Sequence, residues 1–387
     1  MFVGLTNTPR DYAWGSTTAI ADLLGRKPSG DPEAEYWLGT HPGSPAVLVD
    51  GPPGAHLLSD LTRLPFIMKV LAAETPVSLQ AHPSTRQAEE GFARENAAGI
   101  PMDAPNRNYK DPRHKPEMIF AISDPFDALC GFRPVAATRH LLAPIGGDPV
   151  VASLLDRLTD DSSLKPVFEW LISKGDGVAE LMARMLQLAP TQPGVEFATV
   201  CSLARDYPGD PGILISLLLN RLTVTPGEAV FLPAGNIHSY LHGLGIEVLA
   251  SSDNVLRGGL THKFVDIPEL LRILDFRPLP VPFLQPDTSV PGLRVFRPDV
   301  PDFELAVFQP SAAPGAGLEF GVAGDFIALA TDGAITITGG SDRMLLDRGQ
   351  AMFGTGSDSP ITVTGDGVLY LTASDPHAPH ENVSRRR

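Results

Sequence analysis

The sequence predicts a mainly β protein in which a helical block interrupts one β unit and a second β unit follows. Three observations carry this. Glycine (37) and proline (38) make up about a fifth of the chain, a density suited to tight turns between short strands. Short apolar segments broken by Pro and Gly fill the beginning, and alternating apolar and polar segments fill the end. A helical period of about 3.6 residues is confined to one central stretch.

The 387 residues suit two or three domains, at roughly 100 to 200 residues per domain. Up to residue 134, Ala46–Val49 and Pro65–Leu71 read as strands. From Thr138 to about Tyr207 the period becomes helical, and Val178, Leu181, Met182, Met185 and Leu186 fall on one face as core packing without chemistry. The turn formers of Tyr207-Pro-Gly-Asp-Pro-Gly212 close this block, and Ile213–Leu219 reads as an extended apolar run. Beyond about residue 285, Phe303–Phe308, Ala334–Thr338 and Ile361–Thr364 alternate between Gly or Asp turns. The expected division is 1–134 with 213–285 as the first β unit, 135–212 as a helical insertion, and 286–387 as the second β unit. Ser384–Arg387 reads as a solvated tail.

A formal charge of −15 excludes a broad polyanion-binding face, which needs basic excess to displace counterions, and leaves room only for a local basic pocket. No apolar run approaches the ~18 residues of a membrane span, and Met1–Asn7 lacks the pattern of a secretion signal. A cytoplasmic protein is expected. Cys130 and Cys201 are too few for a disulfide framework and read as buried, inert thiols.

Chemistry concentrates in three short stretches: Gln80-Ala-His82, His114-Lys-Pro-Glu117, and the segment ending at His238. Gln80 and His82 stand two apart, so an extended strand points both to one side. Gly227-Glu-Ala-Val-Phe-Leu-Pro233-Ala-Gly235-Asn-Ile-His238 matches the second cupin motif, in which a strand, a tight turn and a returning strand aim a histidine into a jelly-roll barrel. The motif's later asparagine is replaced by His242. The corresponding segment of the last β unit, Asp347–Gly354, has no histidine, so a metal belongs to the first unit alone. Gln80, His82, Glu117 and His238 offer one amide oxygen, two imidazoles and one carboxylate, a ligand set for zinc or a similar ion. With a single carboxylate, such a zinc centre keeps a net charge near +1 and suits a developing oxyanion. On an extended strand Lys115 shares the side of Glu117, whereas His114 points away unless Pro116 rotates it.

With these residues the chain resembles the type I phosphomannose isomerases. The likeness runs from the beginning to about residue 270 through Tyr12-Ala-Trp-Gly-Ser16, Leu38-Gly-Thr-His-Pro-Gly-Ser44, Leu79-Gln-Ala-His-Pro83, Tyr109-Lys-Asp-Pro-Arg-His-Lys-Pro-Glu-Met118, Ala128-Leu-Cys-Gly-Phe-Arg133 and Ser252-Asp-Asn-Val-Leu-Arg-Gly-Gly-Leu-Thr261. His262 stands where the family pattern has proline. The resemblance implies a cupin-type jelly-roll barrel with a helical insertion and a second cupin-like β domain. It also implies one zinc per chain on Gln80, His82, Glu117 and His238, with Arg257 taking part in catalysis.

The implied reaction interconverts mannose 6-phosphate and fructose 6-phosphate by moving a proton between C2 and C1 through an enediol. Lys115, Glu247, Asp253 and His114 are the further catalytic candidates, Glu247 and His114 being the possible bases. Arg257, Lys263 and Lys69 are cations suited to the phosphate, and Ser78 is a further substrate-binding candidate. The expected partner is a small phosphosugar, with no nucleic acid and no membrane, and the expected state is a monomer. Two other readings compete. A cupin oxygenase would use a two-His, one-carboxylate iron site, which the extra ligand Gln80 argues against. A non-catalytic sugar-binding cupin would not need Lys115 and Arg257.

Overall fold

One long strand, His238–Ala250, organises the sheet that carries the predicted site residues. Its first residues pair with Leu79–Ala81 and Phe126–Phe132, and from Gly243 onward it pairs with Phe66–Ala73 and Glu117–Ala121. Each partner recruits a further strand: Leu256–Gly259, Leu219–Val224, Glu35–Gly39 and Ala229–Leu232. All these pairings are antiparallel. The computed structural model describes residues 1–310 and 317–374, and the expected tail Ser384–Arg387 lies outside the described residues.

The mainly β expectation holds, with one change of shape. The hydrogen-bonded path through the ten strands does not close on itself, so the expected barrel is an open jelly roll. The central strand exchanges its neighbours midway, which leaves two half-sheets with separate edges.

Strand alternation sorts the side chains. On Phe66–Ala73, Ile67, Lys69 and Leu71 face a cavity, while Phe66, Met68, Val70 and Ala72 enter a core shared with the second sheet. That second sheet has nine strands built on Phe326–Gly339 and Ile361–Ala373, which pair along most of their length. Phe2–Thr6 pairs with Ala351–Gly354 of this sheet, and Val47–Val49 pairs with Phe2–Thr6. The first strand of the chain is therefore hydrogen-bonded into the sheet built from its last residues.

Between the sheet strands lie the helices Val135–Leu142, Pro149–Arg157, Leu164–Ile172, Val178–Leu188 and Val195–Asp206. Asp148 caps the second of them, its carboxylate accepting from the N–H groups of Val150 and Val151, and Pro149 occupies the first turn. Val178, Leu181, Met182 and Met185 are buried along one face. These helices pack onto Leu79, Leu129, Phe132 and Ile237, the outer face of the site sheet.

The run from Ile213 departs from its extended reading: it forms the helix Gly212–Ile215 and a 3-10 turn, Ser216–Leu218, before a strand begins at Leu219. Ile213, Leu214, Ile215, Leu217 and Leu218 are fully buried, so no exposed side marks a period and pattern alone cannot separate helix from strand. Cys130 is buried, and burial pushes its thiol up to about 12 against the hydrogen bond with Asn236. Cys201 is only half-buried, contrary to its reading as a core thiol. Among the described residues no helix is long and apolar enough to cross a membrane.

Candidate metal centre and pocket

The turn before His238 requires glycine. Gly235 has φ 79°, and a Cβ there would stand 3.0 Å from the Ile273 carbonyl oxygen. Its N–H donates to the His82 carbonyl at 2.9 Å, so the turn that delivers His238 also fixes the chain at His82. His238 then pairs directly with Gln80. Glu117 pairs with Leu232, the last residue of the strand that enters the turn before His238, which brings the three stretches together.

His82 Nε2 lies 3.3 Å and His238 Nε2 3.2 Å from the same oxygen, Glu117 Oε2. The three ligand atoms lie within 4.8 Å of one another, and all three side chains are buried. His82 Nδ1 stands 2.8 Å from the Asn254 carbonyl and His238 Nδ1 3.1 Å from the Asn236 carbonyl. A carbonyl can only accept, so each ring carries its proton on Nδ1 and turns a lone pair inward from Nε2. His82 Nε2 and Glu117 Oε2 make no hydrogen bond. Buried lone pairs facing one another without a proton repel, and a cation between them satisfies all three. The separations suit this, since two ligands about 2.1 Å from a tetrahedral ion stand about 3.4 Å apart.

The protonation states agree. Burial drives the His82 imidazolium down to about 4, outweighing the pull of Glu117, so the ring is in its neutral, ligating form. Burial would raise the Glu117 carboxyl, but the charge of Lys115 works against burial, and the carboxyl lies well below the usual carboxylate range. Lys115 Nζ bonds Glu117 Oε1, leaving Oε2 for the imidazoles. Gln80 presents its amide nitrogen 3.4 Å from His238 Nε2, and a half-turn of the amide puts its oxygen there.

Beside this centre opens a cavity of about 560 Å³. Lys69, Ser78, Gln80, Lys115, Glu117, Glu247, Asp253, Arg257 and Lys263 all line it. His114 does not. Its Nε2 meets Asp302 Oδ2 at 2.9 Å, and it lines a separate groove with Arg113 and Ser251. Pro116 leaves the alternation intact, and alternation that sends Lys115 and Glu117 inward sends His114 outward.

The cations in the cavity differ in availability. Lys69 Nζ is shared between Glu247 (3.0 Å) and Glu35 (3.4 Å) and lies 4.5 Å above the Trp37 ring. Burial would lower its ammonium, but Glu247, Glu35 and Glu117 outweigh burial and hold it above the usual lysine range. Arg257 has no ion pair or hydrogen bond from its guanidinium among the described residues, and burial alone depresses it. Lys263 is depressed by burial and by the charge of Arg257. Asp253 Oδ2 meets His41 Nε2 at 3.2 Å, and its half-exposed side chain opens toward solvent. Burial would raise the Asp253 carboxyl, but the His41 bond and nearby Lys115 and Lys69 hold it low and ionised.

Glu35, Trp37, His41 and Tyr240 belong to this surroundings and were missed as site residues. Tyr240 stands two residues after His238, a strand spacing that could have found it. Glu35 and Trp37 likewise alternate with the core residues Tyr36 and Leu38.

Comparison with known proteins agrees with this geometry. The family model described as phosphomannose isomerase type I, catalytic domain, matches residues 2–135. The chain is 37% identical over 396 residues to the mannose-6-phosphate isomerase of Escherichia coli (strain K12), covering 94% of this chain and 97% of that one. It is 32% identical over 418 residues to that of Homo sapiens, covering 95% and 92%. A crystal structure of mannose 6-phosphate isomerase bound with zinc and yttrium superposes with a TM-score of 0.87 at 35% identity, covering 97% of this chain and 99% of that one.

Proposed function

We propose how this chain, which belongs to the type I phosphomannose isomerase family, uses its own residues to interconvert mannose 6-phosphate and fructose 6-phosphate. It is a metal-binding aldose-ketose isomerase. The observation that carries the reading is the buried meeting of His82 Nε2, His238 Nε2 and Glu117 Oε2 at the wall of the cavity. Neither the oxygenase nor the binding-only alternative is favoured, because the relatives that match nearly the whole chain are isomerases.

His82, His238, Glu117 and the turned amide oxygen of Gln80 would hold one zinc per chain, which when bound would supply a positive centre for polarising sugar oxygens. Arg257 and Lys263, cations without carboxylate partners among the described residues, receive the phosphate dianion, the planar guanidinium offering paired donors. Asp253 accepts the C2 proton. Its side chain is open to the cavity, His41 occupies one oxygen, and the other remains for the substrate. As that C–H bond breaks, its electrons form the C1–C2 double bond and the former C1 carbonyl oxygen becomes negative. Lys115, whose ammonium lines the cavity, stabilises that charge. Asp253 then returns the proton to C1 while the O2 hydroxyl proton passes to the O1 oxyanion, so the carbonyl re-forms at C2 and O1 ends as a hydroxyl. Glu247 is locked to Lys69 and serves as buried charge frame.

The proposed site is complete within one chain, so the proposed monomer needs no partner residue, and a phosphosugar substrate supports a cytoplasmic setting. The division 1–134 with 213–285, 135–212 and 286–387 is part of the same proposal, with Phe2–Thr6 and Val47–Val49 lent to the last unit's sheet.

The test is isomerisation of mannose 6-phosphate with and without a chelator. His238→Ala should lose bound metal and activity together while keeping its circular dichroism, and an active, metal-free H238A would defeat the reading. Asp253→Asn should keep its metal and lose about 10²–10⁴ in turnover. Full turnover in D253N would remove Asp253 from proton transfer.

A further inference from the structure

We propose that Asn254 is a positioning residue that holds the ligand His82 in step with the segment carrying Lys115 and Glu117; this rests on the metal reading above. Asn254 is fully buried. Its side-chain oxygen accepts from the N–H of Lys110 at 2.7 Å and of Asp111 at 3.3 Å. Its side-chain nitrogen donates to the carbonyls of Asp111 and Arg113, both at 2.8 Å, and stands 3.3 Å from Asp111 Oδ1. Its own carbonyl takes the Nδ1 proton of His82 at 2.8 Å.

One residue thus grips two parts of the site. Through its side chain it sets the irregular stretch Lys110–Arg113, which leads directly into Lys115 and Glu117. Through its backbone it fixes the tautomer and tilt of His82. Neighbouring bonds tighten the knot: Ser252 Oγ accepts from Asn254 N–H at 3.2 Å and donates to the Asp111 carboxylate at 3.0 Å, which also accepts from Asp253 N–H at 3.1 Å. The proton-accepting aspartate is therefore anchored to the same turn as the ligands.

The chemistry requires an amide. The site demands two donated and two accepted hydrogen bonds from one small planar group. A carboxylate of the same shape has no donor and would face the Asp111 and Arg113 carbonyls with negative charge. Metal ligands are ordinarily oriented by such outer contacts, and disturbing them weakens metal binding by about 10- to 100-fold.

The experiment loads metal-free protein with Co²⁺ and records its visible spectrum, with affinity measured by chelator competition. Asn254→Asp should bind Co²⁺ about 10- to 100-fold more weakly. Its ligand-field bands should shift, and kcat should fall more than KM rises. Parent affinity and an unchanged spectrum in N254D would overturn the proposal. Should N254D fail to fold, Ser252→Ala tests the same knot with the amide in place. It is expected to lower Co²⁺ affinity, and unchanged affinity and spectrum would again overturn it. Failure of the unaltered protein to bind Co²⁺ would instead sink the metal reading itself.

Discussion

Tyr240 and Glu247 stand on one strand an odd number of residues apart, yet both face the same cavity. A regular strand would send them to opposite sides. The register against Phe126–Phe132 shifts between Tyr240 and His242, and this bulge changes which positions face inward. Ile246 and Val248 consequently enter the core between the sheets, and Glu247 meets Lys69.

Gly243 makes that switch possible. Its φ is 128°, and a Cβ there would stand 2.8–2.9 Å from Phe126. Gly243→Ala should therefore destabilise the fold by about 1–3 kcal/mol in urea denaturation. Turnover should fall with it, while His238, placed before the bulge, keeps its metal. Unchanged stability would mean that glycine is not needed at the switch.

Lys69 is the direct cross-strand neighbour of Glu247 and also serves Glu35. Lys69→Met leaves two buried carboxylates without their cation and should cost about 3–5 kcal/mol. Glu247→Gln should cost less, because Lys69 keeps Glu35. Equal losses for the two variants in denaturant titrations would contradict this shared arrangement.

Gln80 is the neutral member of the proposed ligand set. Gln80→Glu should retain metal, since a carboxylate ligates at least as well, but it cancels the net positive charge of the centre. Turnover is expected to drop roughly tenfold or more as oxyanion stabilisation weakens. Metal analysis alongside kcat checks both halves, and full turnover in Q80E would show that net charge is not what the site uses.

Arg257→Ala removes a cavity cation that has no ion-pair partner among the described residues. Loss of charge-assisted bonds to phosphate should cost about 1.5–3 kcal/mol, roughly 10- to 100-fold in kcat/KM. Metal content should not change. Binding of inorganic phosphate as a competitive inhibitor should weaken in parallel, and inhibition equal to that of the parent would place the phosphate elsewhere.

Glu269 yields a pH prediction away from the centre. It joins Arg272 (2.6 Å), Arg94 (2.8 Å) and the hydroxyl of Tyr109. Burial would raise its carboxyl, but Arg272, Tyr109 and Arg94 hold it below the ordinary value. A depressed carboxyl contributes stability above its unfolded pKa, near 4.3, and loses it as pH falls through the folded value. Glu269→Gln should thus be less stable than the parent at pH 7, with the gap closing below about pH 4. A gap that stays constant down to pH 3 would show that the ion pairs contribute nothing.

Much of the site could be read from residue order because its chemistry is local. Gln80 with His82, Lys115 with Glu117, and the Pro-Ala-Gly turn before His238 are spacings that extended chain and tight turn translate directly into direction. The helix at Val178–Leu188 was legible for the same reason, its apolar period being set within a few turns. Local pattern failed where neighbours come from afar. Ile213–Leu218 is apolar apart from the buried Ser216 and is buried on all sides, so its pattern does not distinguish a helical turn from a strand. Phe2–Thr6 finds its partner among the last strands, a pairing that alternation does not encode.

What the amino-acid order determined by itself is the set of donors and the sides to which short strands turn them. Tertiary structure alone decided that the donors meet at one point, that His114 binds Asp302 outside the cavity, and that a bulge carries Glu247 inward. Each depends on packing against residues far along the chain, and close packing rather than periodicity selects the register there.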